Sequence, residues 1–317
     1  MTKAQVKPAA SVDFQEPAVS ALSVVPTEGL ATRPWRDHMI STSHAEISVR
    51  QTTGKKLPIL LLHGGGLCKE VFNRQLESRL GAQYRMIAID LPGHGASSDA
   101  FDPERTYRLE GLADAALEVL ENLGIDNAVV VGAGLGGWVG MQMVQTFPGL
   151  VGLTLTGTPL GDPAMASSAP ELSEAGLAGE NEPSDDQIDA FLRLSLGDLD
   201  GAPFAQAAKR TDARATNLTC GDMRSNVGEL WSSAASASTP PIMIVNGATG
   251  ARTDAGEGAA VGAGARPART FYAIPHAGPA PFLGVPMVYN HLLERFMQRM
   301  VRRERQLSAS PPLWYGG

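Results

Sequence analysis

Residues 128–140 read Ala-Val-Val-Val-Gly-Ala-Gly-Leu-Gly-Gly-Trp-Val-Gly, an apolar run that passes into closely spaced glycines. A short apolar run that ends at glycine is typical of a buried strand, and the apolar spacing from Trp138 onward indicates a helix. Between the strand and the helix, every second residue is a glycine, at positions Gly132, Gly134 and Gly136. This spacing is expected where a strand turns sharply into a helix. This stretch therefore predicts a strand, a tight turn and a helix.

Other apolar runs alternate with helical patterns along the chain. Such alternation predicts parallel strands joined by crossover helices, and hence an α/β fold with a mostly parallel sheet covered by helices on both faces. The predicted strands are Leu57–Leu62, Arg85–Asp90, Ala128–Val131, Val151–Thr156, Pro241–Val245 and Thr270–Ile274, and the predicted helices are Leu109–Leu123, Trp138–Gln145, Gln187–Leu196 and Met287–Arg303.

Charge and composition limit the kinds of partner. The 317 residues carry a net charge of −7, which argues against nucleic acid or an anionic membrane as a partner. Cys68 and Cys220 form no C-x-x-C pair, and the longest uncharged stretch is too interrupted for a membrane span. We therefore expect a cytoplasmic protein without a metal or cofactor, and leave open a protein partner or homo-oligomer.

Composition also suggests how the chain is divided. Residues 1–40 read as a poorly ordered N-terminal extension, and residues 306–317 read as a tail. Residues 160–238 lose strand character and become rich in Ala, Ser and Asp, which predicts a helical cap inserted into a core formed by 41–159 and 239–305.

Two more turns follow predicted strands. His63-Gly-Gly-Gly66 follows Leu57–Leu62, and Asp90-Leu-Pro-Gly-His-Gly95 ends the next strand. With the glycine turn after the third strand, these motifs resemble the α/β-hydrolase-fold family over about residues 45–305. The resemblance implies acyl transfer by a serine on a G-x-S-x-G nucleophile elbow, assisted by an acid and a histidine.

The three catalytic positions that the resemblance implies carry other residues. Gly134 stands in place of the serine, and Thr249 and Gly250 occupy the segment where the acid is expected. Pro279, in Ala-Gly-Pro-Ala-Pro-Phe, replaces the histidine. Because triad members act as a unit, ordinary serine hydrolysis is not expected.

The backbone of the site does not depend on those side chains. The turn of Gly64, Gly65 and Gly66, together with the N–H of Leu135, is expected to form an oxyanion hole. The sequence therefore predicts a pseudo-hydrolase that binds a small carbonyl or acyl ligand or a partner.

Two alternatives remain at this point. In the first, the chain is an active hydrolase, lyase or cyclase that uses the oxyanion hole with a non-standard acid or base, for which the candidates are Asp162, Asp254 and His276. In the second, Gly132, Gly134 and Gly137 form the G-x-G-x-x-G fingerprint of a dinucleotide site. The second is disfavoured because Thr156-Gly157-Thr158 offers no acid for the ribose.

Overall fold

The computed structural model of the protein describes residues 34–158, 183–234, 239–249 and 269–309. The described strands form one eight-stranded sheet in the order β1-β2-β4-β3-β5-β6-β7-β8. β2 pairs antiparallel with both β1 and β4, and every other neighbouring pair is parallel. The strands are β1 Trp35–Ser41, β2 Glu46–Thr52, β3 Lys56–Leu62, β4 Tyr84–Ile89, β5 Ala128–Ala133, β6 Leu150–Thr156, β7 Ile242–Gly247 and β8 Arg269–Ile274.

Helices follow most strands. A 3₁₀ turn, Lys69–Phe72, precedes the first of them. The described α-helices are α1 Asn73–Leu76, α2 Arg79–Gln83, α3 Pro103–Thr106, α4 Leu109–Asn122, α5 Leu135–Thr146, α6 Asp185–Leu196, α7 Ala202–Arg210, α8 Ala213–Ala234, α9 Pro281–Gly284 and α10 Pro286–Ala309. Within the described part of the chain, no helix is both long enough and apolar enough to cross a membrane.

The sheet separates two apolar layers. Along β3, Leu60 and Leu62 pack into one layer with Trp138 of α5, whereas Ile59 and Leu61 face the other with Phe296 of α10. This alternation follows from the two-residue period of a strand. All residues of β5 are buried, as expected of a central parallel strand covered on both faces.

The boundaries of α4 were readable in the sequence. Its apolar positions are buried at helical spacing, and Asp102 caps the preceding α3 through the N–H of Arg105. Gly124 ends α4 with a φ of 63°, and Ile125 donates from its N–H to the carbonyl of Leu120, as in a Schellman motif.

Two predicted boundaries are wrong. The N-terminal extension does not reach residue 40, because Trp35–Ser41 form β1 at the edge of the sheet. The tail does not begin at residue 306, because α10 continues to Ala309. β2 was missed altogether, since its sequence Glu-Ile-Ser-Val-Arg-Gln-Thr looks half polar although six of its seven residues are buried.

The cap is predicted between β6 and β7, and the described part of that segment forms the helices α6, α7 and α8. Residues 159–182 and 235–238 of the segment are outside the described residues. Ser184 and Gln187 form a capping box that begins α6. At the junction of α7 and α8, Asp212 donates its N–H to the carbonyl of Gly93 and accepts a 2.7 Å hydrogen bond from the Tyr107 hydroxyl. This junction is therefore fastened to the turn that follows β4.

We predict that Gly136→Ala destabilises the protein by about 3 kcal/mol or more, because its Cβ would lie 2.1 Å from the carbonyl oxygen of Leu62. Gly221→Ala, on α8, is the matched control, since outside its own helix its Cβ would meet no described atom within 4 Å. The control should be stabilised by about 0.5–1 kcal/mol from helix propensity. Urea unfolding measures both, and equal effects would contradict the close approach at Gly136.

Candidate functional site

The turn between β5 and α5 is held by glycines that have no room for a side chain. A Cβ on Gly132 would lie 2.3 Å from the carbonyl oxygen of Gly136, and one on Gly136 would meet β3. Because Gly136 lies so close to the end of β3, its N–H donates to the carbonyl of His63. The first turn of α5 is therefore pressed against the end of β3.

Gly134 is different from its neighbours. It has φ 50° and ψ −116°, is half-buried, and donates its N–H to the carbonyl of Thr156. Apart from its chain neighbours and its own helix, a Cβ built here has one described atom within 4 Å, the Cα of Gly64 at 3.6 Å. Space for a side chain therefore exists at this turn, although the positive φ strains any residue except glycine.

The glycine-rich turn after β3 lies beside Gly134. Leu67 donates its N–H to the carbonyl of Gly64, which closes a turn with Gly65 and Gly66 at its centre. Gly66 has φ 71° and Gly65 does not have a positive φ, as in a type II turn. Within the described ranges, the N–H groups of Gly65 and Leu135 have no protein acceptor.

His63 and His94 are structural in this geometry. His63 accepts the N–H of Leu91 on Nε2, so its Nδ1 carries the proton and donates to the carbonyl of Gly64. Burial lowers the pKa of His63, and burial together with the neighbouring His63 ring lowers the pKa of His94 to about 3. Both imidazoles are therefore neutral at physiological pH.

Asp90 joins the glycine-rich turn to the turn after β4. Its fully buried carboxylate accepts from the N–H of Lys69 at 2.7 Å, from Nζ of Lys69 at 2.6 Å and from the N–H of Ala96 at 2.8 Å. Burial by itself lowers the pKa of Lys69, but Asp90 and Glu70 outweigh it and hold that pKa above its ordinary value. The result is an ion pair inside the core, next to the site.

The remaining predicted positions meet at the same edge of the sheet. Thr249, which follows β7, donates from its N–H and its hydroxyl to the carbonyl of Ala277, at 2.9 and 2.8 Å. A Cβ on Gly157 would lie 3.6 Å from the carbonyl oxygen of Pro279, and Gly157 follows the strand that supports Gly134. The segments after β5, β6, β7 and β8 are thus adjacent, as the carboxyl ends of parallel strands should be.

The two described residues at the predicted acid and histidine positions have no titratable side chain. Thr249 and Pro279 lie there, whereas Gly250, Asp162 and Asp254 are outside the described residues. His276 is exposed at φ 57° in a turn closed by Ala277 N–H and the carbonyl of Ile274. Burial raises the pKa of the Cys68 thiol, which makes it a poor nucleophile.

Two supporting side chains were not found from the sequence. Thr158 is buried and donates from its hydroxyl to the carbonyl of Gly134 at 3.2 Å. Asn246 accepts the N–H of Gly157 on its side-chain oxygen at 2.9 Å and so ties the end of β7 to the end of β6. The available signal was that each lies at or just after the end of a strand.

Comparison with known proteins identifies the class. Residues 59–291 match the model of the alpha/beta hydrolase family, so the chain belongs to this family and has its fold. The predicted fold class and family resemblance are confirmed. The observed strand order also differs from the 3-2-1-4-5-6 order of a dinucleotide-binding fold.

Solved structures agree with this assignment. The N-acyl homoserine lactonase AidH, known from crystal structures, shares 34% sequence identity with this chain. A mutant complexed with N-hexanoyl homoserine has a TM-score of 0.76 and covers 84% of this chain and 97% of that one. A serine-to-glycine mutant complexed with N-hexanoyl homoserine lactone also has a TM-score of 0.76. A thermophilic esterase from Thermogutta terrifontis, 20% identical with a TM-score of 0.67, supports the fold alone.

Curated relatives match a shorter region. An uncharacterised protein of Mycobacterium tuberculosis is 34% identical over 110 residues, which is 35% of this chain. A 30 kDa magnesium-chelatase subunit of Rhodobacter capsulatus is 32% identical over 90 residues, or 28% of the chain. Both matches span 31% of the relative's length.

The buried histidines predict a loss of stability in acid. The pKa of His94 is about 3 when folded against 6.5 ordinarily, so between these values the unfolded chain binds more protons. The free energy of unfolding should therefore fall as pH decreases from 6.5, by up to about 1.4 kcal/mol per pH unit for this group.

Urea unfolding between pH 7 and pH 4 measures this dependence. His94→Asn keeps a donor for the carbonyl of Pro92 but cannot titrate, so its stability should vary less with pH. His276→Asn, at an exposed position, is the control and should follow the parent protein. Identical slopes for all three proteins would contradict the assignment.

Proposed function

We propose that the protein is a non-hydrolysing member of the alpha/beta hydrolase family that binds a small acyl compound through its ester or lactone carbonyl. The observation that carries the proposal is Gly134. Its backbone has the positive φ of a sharp elbow, it has space for a side chain, and it supplies no nucleophile.

Two facts argue against ordinary serine hydrolysis. The reaction needs a hydroxyl oxygen at the elbow, and an imidazole to take its proton. Glycine offers no hydroxyl oxygen, and Pro279, at the position where the family resemblance places the histidine, has no titratable side chain. In enzymes of this type, loss of the triad leaves only roughly 10³–10⁴-fold acceleration over water, which is far below a dedicated hydrolase.

The binding part of the proposal rests on the backbone. Leu135 begins a twelve-residue helix, whose N-terminus favours the partial negative charge of a carbonyl oxygen. Its N–H and that of Gly65 have no acceptor among the described residues. Two such donors from different segments are the usual elements of an oxyanion hole.

Related structures support the choice of ligand. The lactonase AidH, 34% identical to this chain, has been crystallised with N-acyl homoserine lactone and its ring-opened form. One of these complexes, with the lactone, uses a variant in which a serine is replaced by glycine. N-acyl homoserine lactones are therefore the first compounds to test here.

The turn allows one oxyanion donor to be removed without changing its shape. Gly65 is the second residue of the type II turn, a position that favours proline, so Gly65→Pro should fold normally but lacks the N–H. We expect about tenfold weaker binding of N-hexanoyl homoserine lactone, the loss of one hydrogen bond of about 1.4 kcal/mol.

Isothermal titration measures that affinity. Gly65→Ala is the matched control, because it keeps the N–H and should bind like the parent. Equal affinity of the proline and alanine variants would remove Gly65 from the site. If the parent protein shows no heat with the lactone and a set of simple esters, the binding proposal is wrong.

Catalytic loss can be tested by restoring the missing groups. We expect no labelling of the parent protein by a fluorophosphonate probe and no turnover of p-nitrophenyl esters above a blank. The variant Gly134→Ser, Gly250→Asp, Pro279→His should be labelled if the pocket still fits a substrate. Gly221→Ser adds a serine at an open helical position and should remain unlabelled. Labelling of the parent would instead favour an active enzyme with a non-standard base.

A further inference from the structure

A second cluster of polar side chains lies where the β1–β2 loop meets α3 and α4. His44 belongs to the loop, and Asp114 and Glu118 are one turn apart on α4. Nε2 of His44 is 3.0 Å from Oδ2 of Asp114 and 4.0 Å from Oε1 of Glu118. Within the described ranges, these residues place an imidazole nitrogen and two carboxylate oxygens within 4.8 Å of one another.

Neighbouring residues outside the cluster hydrogen-bond to His44 and Glu118 and orient their side chains. His44 is buried, and its other ring nitrogen, Nδ1, is 3.0 Å from the hydroxyl of Thr106. Glu118 accepts from the N–H and the hydroxyl of Ser43, one on each carboxylate oxygen. Bonds of this kind hold the ligands of metal sites in position, with the free imidazole nitrogen directed at the ion.

The guanidinium of Arg105 contacts both the imidazole of His44 and the carboxylate of Asp114. Nη2 of Arg105 lies 3.2 Å from Nε2, and a guanidinium can only donate. Oδ2 of Asp114 lies 3.0 Å from the same atom, and a carboxylate can only accept. Nη2 of Arg105 donates to the hydroxyl of Ser43 at 3.0 Å and to Oδ2 of Asp114 at 3.4 Å, so a cation already occupies the space beside the imidazole.

We propose that His44, Asp114 and Glu118 bind one Zn²⁺ ion, which replaces the guanidinium of Arg105. The metal would take the Nε2 lone pair and both carboxylates together, in the place of the positive charge that the guanidinium now supplies. The side chain of Arg105 is half exposed and can turn into water. This site is separate from the elbow and does not rest on the proposed acyl-binding function.

The ligand set favours zinc over the harder divalent ions. Imidazole nitrogen suits Zn²⁺, whereas Mg²⁺ and Ca²⁺ prefer an all-oxygen shell. At bond lengths of about 2.0–2.1 Å, tetrahedral ligands lie roughly 3.3 Å apart, so the present separations require only a small movement of the carboxylates. Asp114 is half exposed and free to make it. Three protein ligands leave a fourth position for water.

Binding would connect the ion to the helices between β6 and β7. Thr106, which orients His44, ends α3 and directly precedes Tyr107. The Tyr107 hydroxyl donates to Asp212 at the junction of α7 and α8. The backbone carbonyl of Tyr107 accepts a hydrogen bond from the hydroxyl of Thr219 on α8. An ion that fixes the β1–β2 loop, α3 and α4 would therefore stiffen the surface on which α8 rests.

The test is a Zn²⁺ titration of the full chain after chelator treatment, followed by calorimetry and thermal unfolding. We expect one ion per chain and a higher unfolding temperature with Zn²⁺, but not with Mg²⁺ or Ca²⁺. Asp114→Asn and Glu118→Gln should each weaken binding by at least about tenfold. Glu121→Gln, which removes an exposed charge from the same helix, should leave the affinity unchanged.

Arg105→Ala distinguishes a metal site from a satisfied charge cluster. If the guanidinium competes with the ion, this variant binds Zn²⁺ about tenfold more tightly than the parent protein, and bound Co²⁺ shows the visible absorption of a tetrahedral site. If neither the parent nor Arg105→Ala binds saturably, the proposal is wrong. It is also overturned if binding survives both carboxylate substitutions, since the ion is then held elsewhere.

Discussion

The site depends on the close approach of α5 to the end of β3. Gly136 has no Cβ, so its N–H reaches the carbonyl of His63 while its Cα packs against the backbone of Leu62. That contact fixes the first turn of α5, and with it the direction of the Leu135 N–H. The elbow is therefore held by backbone packing, and its shape survives without a serine.

Asp90 supplies the second constraint, on the glycine-rich turn. Its carboxylate binds both the N–H and the ammonium of Lys69, and it also takes the N–H of Ala96. Removing either member of such a buried pair leaves an uncompensated charge, which costs about 3–5 kcal/mol. The residues on both sides of the glycine-rich turn are therefore anchored, one side by Asp90 and the other by β3.

The central strands and their helices were predictable, because β3 to β7 are apolar and mostly buried. β1 and β2 were not, and the reason is visible in their polar residues. Arg50 of β2 is buried because Asp37 of β1 takes its guanidinium in two 2.7 Å hydrogen bonds. Thr52 is buried because its hydroxyl bonds the carbonyl of Tyr84. A hydrophobic pattern cannot reveal strands whose polar groups find partners far along the chain.

The sequence by itself determined the order of the motifs, the family and the residues at the predicted triad positions, since each is written in a local run of glycines and apolar residues. Only the tertiary structure decided which segments meet. Thr249 and Ala277 touch because β7 and β8 are neighbours, and His44 reaches Asp114 across 70 residues of chain. Such contacts depend on strand order and on the packing of helices, neither of which has a local signature in the sequence.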